Sequence, residues 1–320
     1  MSIKRHRKMV ENIYEIEFAD YSAKINLSRG ANCISLRNRK YKAKILREPD
    51  YAKGLDNPYL YGMPILFPVN RISGGRFEFE GREYVFPMNE PATGCHLHGE
   101  LHQAEFTLEE VSESRLVCSY KADKDKPYLS FPHAFEIRIE YELKEDGFYQ
   151  RTEIWNHSDT NMPVFLGFHT TFCSLFCEDS KPQNIKVLAE ISEEYERNMA
   201  TYLPTGVKPK FDESSLALNA GEFSPFAKAT SRHYRCGASG KMGIYDAGSH
   251  LRVVYENDEK YKFRLIYNGN ADGYICLEPQ TCLANCQNSP FTREEAGFDY
   301  IERGKSKLYV SKISIEEEPK

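Results

Sequence analysis

Apolar and polar residues alternate with a period of two along much of this chain. The clearest run is Phe135 to Leu143, where Phe135, Ile137, Ile139, Tyr141 and Leu143 fall on one side and Glu136, Arg138, Glu140 and Glu142 on the other. Successive side chains of a strand point to opposite faces, so this run predicts a strand with one buried and one wetter face. Asp146-Gly147 is a hairpin signal, and Phe148 to Trp155 is the expected return strand. Shorter runs of the same kind are Tyr14 to Phe18, Ala23 to Leu27, Cys33 to Leu36, Tyr41 to Leu46, Ala104 to Leu108 and Leu116 to Tyr120. Further along are Met162 to Phe168, Met242 to Tyr245, Leu251 to Tyr255, Tyr261 to Tyr267, Tyr274 to Leu277 and Leu308 to Ile315. Lys186 to Asn198 has room for a short helix, though its apolar period is weak, and Asn288 to Phe298 has room for another ending in glycine. Pro204 to Gly221 is loop-like and is the best place for a domain boundary. Strands with turn signals run from end to end, with no internal repeat and no helix long enough to cover a parallel sheet. The expected fold is all-β, a sandwich or barrel, in one domain over residues 1–320.

One stretch departs from plain alternation. Met63 to Val69 is almost wholly apolar and is followed at once by Asn70 and Arg71. A core strand ending in an amide and a guanidinium delivers them to a particular place. Gly74-Gly75 is a turn, and Phe77 and Phe79 alternate with Glu78 and Glu80 before Gly81 turns the chain into Tyr84, Val85 and Phe86. Pro87 to Gly94 is a loop by composition and leads to His96, His98 and His102. The expectation is a strand end, a hairpin, and a His-bearing segment folded back near that strand end.

Composition narrows the function. The chain has 320 residues, 41% hydrophobic, enough for a sizeable core. Tyr and Phe number 21 and 19 against a single Trp, which suits strands and polar clefts. The net charge of −5 speaks against nucleic acid as a partner, since phosphate binding needs clustered Lys and Arg. The basic start, Lys4 to Lys8 with His6, is expected to be a solvated terminus. No apolar run approaches the ~20 residues of a membrane span, and no secretory signal is visible, so the expected location is cytoplasmic. The nine Cys show neither a C-x-x-C pair nor zinc-finger spacing and are expected to be reduced thiols.

Candidate chemistry sits where apolar runs end. His169, in GFHTTF, closes the run Met162 to Phe168; a histidine there reaches a cleft or is a satisfied core histidine. Glu278, in YICLEPQT, follows Tyr274 to Leu277, and Pro279 is expected to stop the strand there. A carboxylate after a buried strand needs a partner or a purpose, because an unpaired buried charge is costly. Arg71 could bridge sugar hydroxyls, clamp a carboxylate, or pair with a loop acid. His96 and His98, two apart on a strand, would point the same way and with His102 or His169 would suggest a metal pair, but no matching acid cluster accompanies them. No G-x-G-x-x-G after a strand, no P-loop and no G-x-S-x-G elbow is present. What remains, a His, a Glu, an Arg and a pair of His at strand ends, suits proton transfer without a cofactor.

Taken together, PILFPVNRISGGRFEFEGREY, HLHG, FPHAFEIRIEYEL with its DG turn, the N-x-S turn before MPVFLGFHTTF, and CLEPQT followed by Asn285 resemble the aldose 1-epimerase (galactose mutarotase-like) family. These pieces stand in the family's order from about Gly62 onward. The resemblance implies a large antiparallel β-sandwich (a supersandwich) with few short helices, an open cleft on one sheet, and no metal or organic cofactor. It implies Glu278 as catalytic base and His169 as catalytic acid, with Arg71 and His98 touching the sugar. Asn70 and His96 stand beside them as further substrate-binding candidates, although His96 has no firm counterpart. The Asp that binds sugar hydroxyls in the better-known members is absent; the corresponding FSPFAKATSRHYRC offers His233 instead. HG is followed by Glu100 where the common pattern has a second Gly. The expected function is interconversion of α and β anomers of a free aldose, by a monomer or homodimer whose partner is a small sugar. Two alternatives stay open: a hexose 6-phosphate 1-epimerase, with Arg76, Arg232 and Arg235 as rim cations, and a non-catalytic sugar binder of the same fold. A glycoside hydrolase would want two carboxylates, and one well-placed Glu is in sight.

Overall fold

Phe135–Lys144 and Gly147–Asn156 form the hairpin that the alternation predicts, with Lys144 opposite Gly147. Phe135, Ile137, Ile139, Tyr141 and Leu143 are buried, while the intervening charged residues are half-buried. There Glu140 bridges Arg115 and Arg151. The computed structural model of the chain describes residues 12–52 and 57–318. The basic stretch Lys4 to Lys8 lies outside them, as do residues 53–56.

The hairpin belongs to an eight-stranded antiparallel sheet. Its order is Thr107–Val111, Arg115–Ala122, Phe135–Lys144, Gly147–Asn156, Ser306–Glu317, Leu251–Asn257, Lys241–Asp246 and Ile185–Ala189. A second sheet runs Ile191–Tyr195, Ser231–Cys236, Phe263–Tyr267, Tyr274–Gln280, Gly167–Phe168 and Ile65–Leu66, and Thr171–Cys173 also pairs with Tyr274–Gln280. The two sheets meet through apolar side chains, with the Phe67 ring 5.5 Å from that of Phe135 and the Phe172 ring 5.6 Å from that of Tyr255. An N-terminal sheet of four strands, Ile13–Phe18, Tyr21–Asn26, Asn32–Asn38 and Ala43–Lys44, stands beside them. This is the all-β sandwich that was expected.

Four local expectations are corrected. Lys186 to Asn198 is two strands rather than a helix, because Glu190 alone separates Ile185–Ala189 in one sheet from Ile191–Tyr195 in the other. Pro204 to Gly221 contains an α-helix, Glu213–Ala220, capped by the Asp212 carboxylate on the Ser215 N–H and ended by Gly221 at φ +72°. Asn288 to Phe298 forms single turns only, with the Gly297 N–H on the Glu294 carbonyl. The strand carrying Glu278 also runs on through Pro279 to Gln280. No helix among the described residues is long and apolar enough to cross a membrane.

The segment from Met63 to Gly99 folds back as predicted. Arg71–Ser73 pairs with Cys95–Leu97, and Arg76–Phe79 pairs with Arg82–Val85. This places the His-bearing segment over the outer face of the second sheet.

Candidate active site

Glu278 stands on Tyr274–Gln280, a strand buried on both faces. Ile275 and Leu277 join the apolar core between the sheets. Tyr274, Cys276, Glu278 and Gln280 alternate with them and so share the opposite face. Across the strands, Glu278 lies opposite Leu265, Leu265 opposite His233, and His233 opposite Tyr195, so one row of side chains crosses that face. His169 enters from the end of Gly167–Phe168, its N–H on the Pro64 carbonyl. Its Nε2 comes to 3.2 Å from Glu278 Oε1. The two groups expected from the sequence therefore meet.

Burial shapes both. It raises the Glu278 carboxyl to about 8, against the opposing pull of the Gln280 hydrogen bond and of Arg197 and Arg71. It lowers the His169 imidazole to about 4. Near neutral pH the empty site thus holds one proton on the pair, on the carboxyl side. Glu278 Oε1 and His169 Nδ1 have no hydrogen-bond partner among the described residues.

A chain of amides fixes the carboxyl. Asn70 Nδ2 donates to Gln280 Oε1 at 3.2 Å, and Gln280 Nε2 donates to Glu278 Oε2 at 3.0 Å. Asn70 is fully buried at φ +62°, and its N–H donates to His98 Nδ1 at 3.2 Å. That bond occupies the Nδ1 lone pair, so the proton of the neutral imidazole lies on Nε2. Burial first, and the neighbouring His169, Arg71 and His102 after it, hold His98 well below its ordinary value. Arg71 makes a two-point pair with Glu90, at 2.6 and 2.7 Å, and lies 4.5 Å from the Tyr202 ring centre. The loop-acid partner weighed for this arginine is therefore real, and the remaining edge of the guanidinium is the part open to a ligand.

Other predicted residues part company. His98 leaves the strand at φ +62°, so it does not continue the period that would align it with His96. His96 packs on Phe86, ring centres 5.0 Å apart, with Nδ1 on the Pro87 carbonyl, and takes no place beside His169. His98 and His102 instead flank Tyr59, with ring centres at 4.8 and 4.5 Å, and Tyr59 lies 6.0 Å from His169. His96 and His98 therefore do not point the same way, as a continuous strand period would have had them. Among the described residues, the group with metal-ligating chemistry is His169, Cys276 and Glu278, all buried, with ligand atoms within 4.8 Å of one another. His233 shares the row of Glu278 but is fully buried, edge-on to Phe263 at 5.9 Å, with neither nitrogen paired among the described residues. The rim arginines are spoken for: Arg76 by Glu83, Arg232 by Asp212 and Glu194, Arg235 by Glu193.

Four residues of the site had no place in the sequence reading. Gln280 was findable, since it lies two positions from Glu278 on the same face of a strand. Tyr59, Arg197 and Tyr202 sit in irregular polar segments, where no period marks them.

Comparison with known proteins bears on the same stretch of chain. The family model for aldose 1-epimerase matches residues 12–300. The chromosomal protein LacX of Lactococcus lactis subsp. lactis is 28% identical over 247 residues, covering 73% of this chain and 79% of its own. A galactose mutarotase-like protein from Clostridium acetobutylicum superposes with a TM-score of 0.87 at 27% identity, over 96% of this chain and 99% of its own. Galactose 1-epimerase from Lactobacillus acidophilus NCFM shares the fold at 14% identity, with a TM-score of 0.70 over 98% of each chain. With its antiparallel sandwich and a match over most of its length, the chain belongs to the aldose 1-epimerase family.

Proposed function

We propose that the protein is an aldose 1-epimerase, interconverting the α and β anomers of an aldose by opening and reclosing the ring. The observation that carries this reading is the buried pair His169 and Glu278, with Nε2 3.2 Å from Oε1; burial pushes the imidazole down to about 4 and the carboxyl up to about 8, so near neutral pH the pair carries one proton. Ring opening needs one group that takes the proton of the C1 hydroxyl and one that gives a proton to the ring oxygen. A pair with one proton supplies both. Glu278 is the base and His169 the acid once a sugar lies between them and the proton has passed to the imidazole; Arg71 and Arg197 favour the carboxylate that this leaves. After rotation about C1–C2 the roles reverse: the ring oxygen returns its proton to His169, Glu278 reprotonates O1, and the site is restored. His98 Nε2–H and the free edge of Arg71 would hold the sugar and stabilise charge on the ring oxygen. Asn70 acts through Gln280 and keeps Glu278 in place.

The test is saturation-transfer NMR of α–β exchange on glucose, galactose, xylose, arabinose and glucose 6-phosphate. One positioned acid–base group is worth roughly 10²- to 10⁴-fold, about 3–5 kcal/mol. Glu278→Gln should lose exchange on that scale with its thermal transition intact. Near-normal exchange in this variant would remove Glu278 from the role. Thermal stabilisation by a sugar without any exchange would make the protein a binder instead.

A further inference from the structure

Arg197 is a buried cation of this site with no ion-paired acid among the described residues; Glu278 and Glu194 act on it only from farther off. It lies two residues beyond the edge strand Ile191–Tyr195 and is 8% exposed. Its Nη2 donates to the Ser231 carbonyl at 2.6 Å and to Ser231 Oγ at 2.8 Å, and these are its side-chain hydrogen bonds among the described residues. No carboxylate of those residues lies within ion-pair distance. The four other arginines weighed for this site differ, since Arg71, Arg76, Arg232 and Arg235 each have a glutamate or aspartate, whereas the buried Arg264 is held by three backbone carbonyls. Burial, and Arg71 after it, lower Arg197 to about 10, so it stays charged at neutral pH. A buried charge with no acid in ion-pair contact is costly, and an anionic ligand beside it would offset part of that cost.

Its position fits such a ligand. Extending the register by two residues brings Arg197 level with Ser231, then Tyr267, then Cys276, the row beside that of His233, Leu265 and Glu278. The guanidinium is drawn in over Ser231, two strands from the strand of Glu278. At ~4.8 Å per strand that is about 10 Å. A pyranose with C1 at Glu278 and a charged substituent on its far carbon spans such a gap. Tyr202 forms a wall between the two cations' neighbourhoods, its ring centre 5.7 Å from Arg197 and 4.5 Å from Arg71. Near neutral pH Glu278 holds its proton in the empty site, so it adds no negative charge to repel the group.

We propose that Arg197 is a subsite for an anionic substituent, so that the substrate is an aldose carrying a carboxylate or phosphate ester at the end remote from C1. This rests on the epimerase reading and names its substrate class. The rim arginines expected from the sequence for a phosphorylated sugar do not supply the subsite, because acids already hold them.

The test compares exchange of glucose, glucuronate and glucose 6-phosphate by the wild type, Arg197→Met and Arg197→Lys. A hydrogen-bonded charge pair predicts at least about a tenfold higher kcat/KM for an anionic aldose than for glucose. Arg197→Met should cut that ratio by a similar factor, mostly through KM, and Arg197→Lys should keep part of it. Preference for the phosphate alone or the carboxylate alone identifies the group. Equal rates on all three sugars overturn the subsite and leave the epimerase standing. An unchanged ratio in folded Arg197→Met removes Arg197. If no sugar exchanges, the epimerase reading falls and binding decides: stabilisation by glucose 6-phosphate or glucuronate that Arg197→Met abolishes upholds the subsite, and no stabilisation overturns it.

Discussion

Burial moves Glu278 and His169 in opposite directions along the pH scale, to about 8 and about 4. Below about 4 the pair carries two protons and nothing can accept the C1 proton. Above about 8 it carries none and nothing can protonate the ring oxygen. Catalysis should therefore hold a plateau between these limits, which belong to the pair rather than to either residue. Unperturbed groups would confine activity to a narrow window around pH 5. A profile of kcat/KM for anomer exchange decides between the two shapes, and a narrow bell would count against a desolvated pair. Glu278, His169, Asn70 and Arg71 were legible because each ends or follows an apolar run, and His98 through the HLHG segment. Arg197 and Tyr202 were not, because only the pairing of distant strands brings RNMATY toward the face of Glu278.

At the scale of elements, the site depends on a turn the chain resists. Asn70, His98 and Gly99 all take φ near +62°, and the Gly99 position bridges to Phe67. A Cβ on Gly99 would meet the Phe67 carbonyl oxygen at 1.9 Å, and backbone cannot move aside as a side chain can. Gly94 has a similar φ with nothing within 4 Å. Gly99→Ala should then be destabilised by well over about 1 kcal/mol and lose exchange as His98 shifts, while Gly94→Ala suffers only backbone strain. Denaturant midpoints for the pair check this, and equal midpoints would refute it. Strands with a clean period of two were readable at this scale. The Lys186 to Asn198 stretch was not, since a single residue, Glu190, passes the chain from one sheet to the other and blurs both periods into one. The helix Glu213–Ala220 was marked only at its ends, by Asp212 and Gly221, with little apolar face between.

In the whole molecule, the strand nearest the C-terminus, Ser306–Glu317, lies inside the eight-stranded sheet, between Gly147–Asn156 and Leu251–Asn257. Tyr309 and Ile313 are buried there. A chain ending at Lys305 would leave two unpaired edges in the middle of the sheet, so it should show no cooperative thermal transition and should aggregate. A cooperative transition near that of the full chain would mean that the two halves of the sheet stand independently. The sandwich class was visible in the sequence because period-two runs recur throughout. The strand order was not, because neighbours such as Gly147–Asn156 and Ser306–Glu317 are joined only after most of the chain has passed. The second sheet has a different consequence. The residues of the proposed proton pair are held by interior strands, hydrogen-bonded on both sides, whereas Arg197 and Tyr202 lie in the segment after the border strand, which folds back on itself through the Arg197–Pro204 bridge. Under such an arrangement a lineage can exchange the group it recognises by changing a border segment, and pass on its chemistry intact.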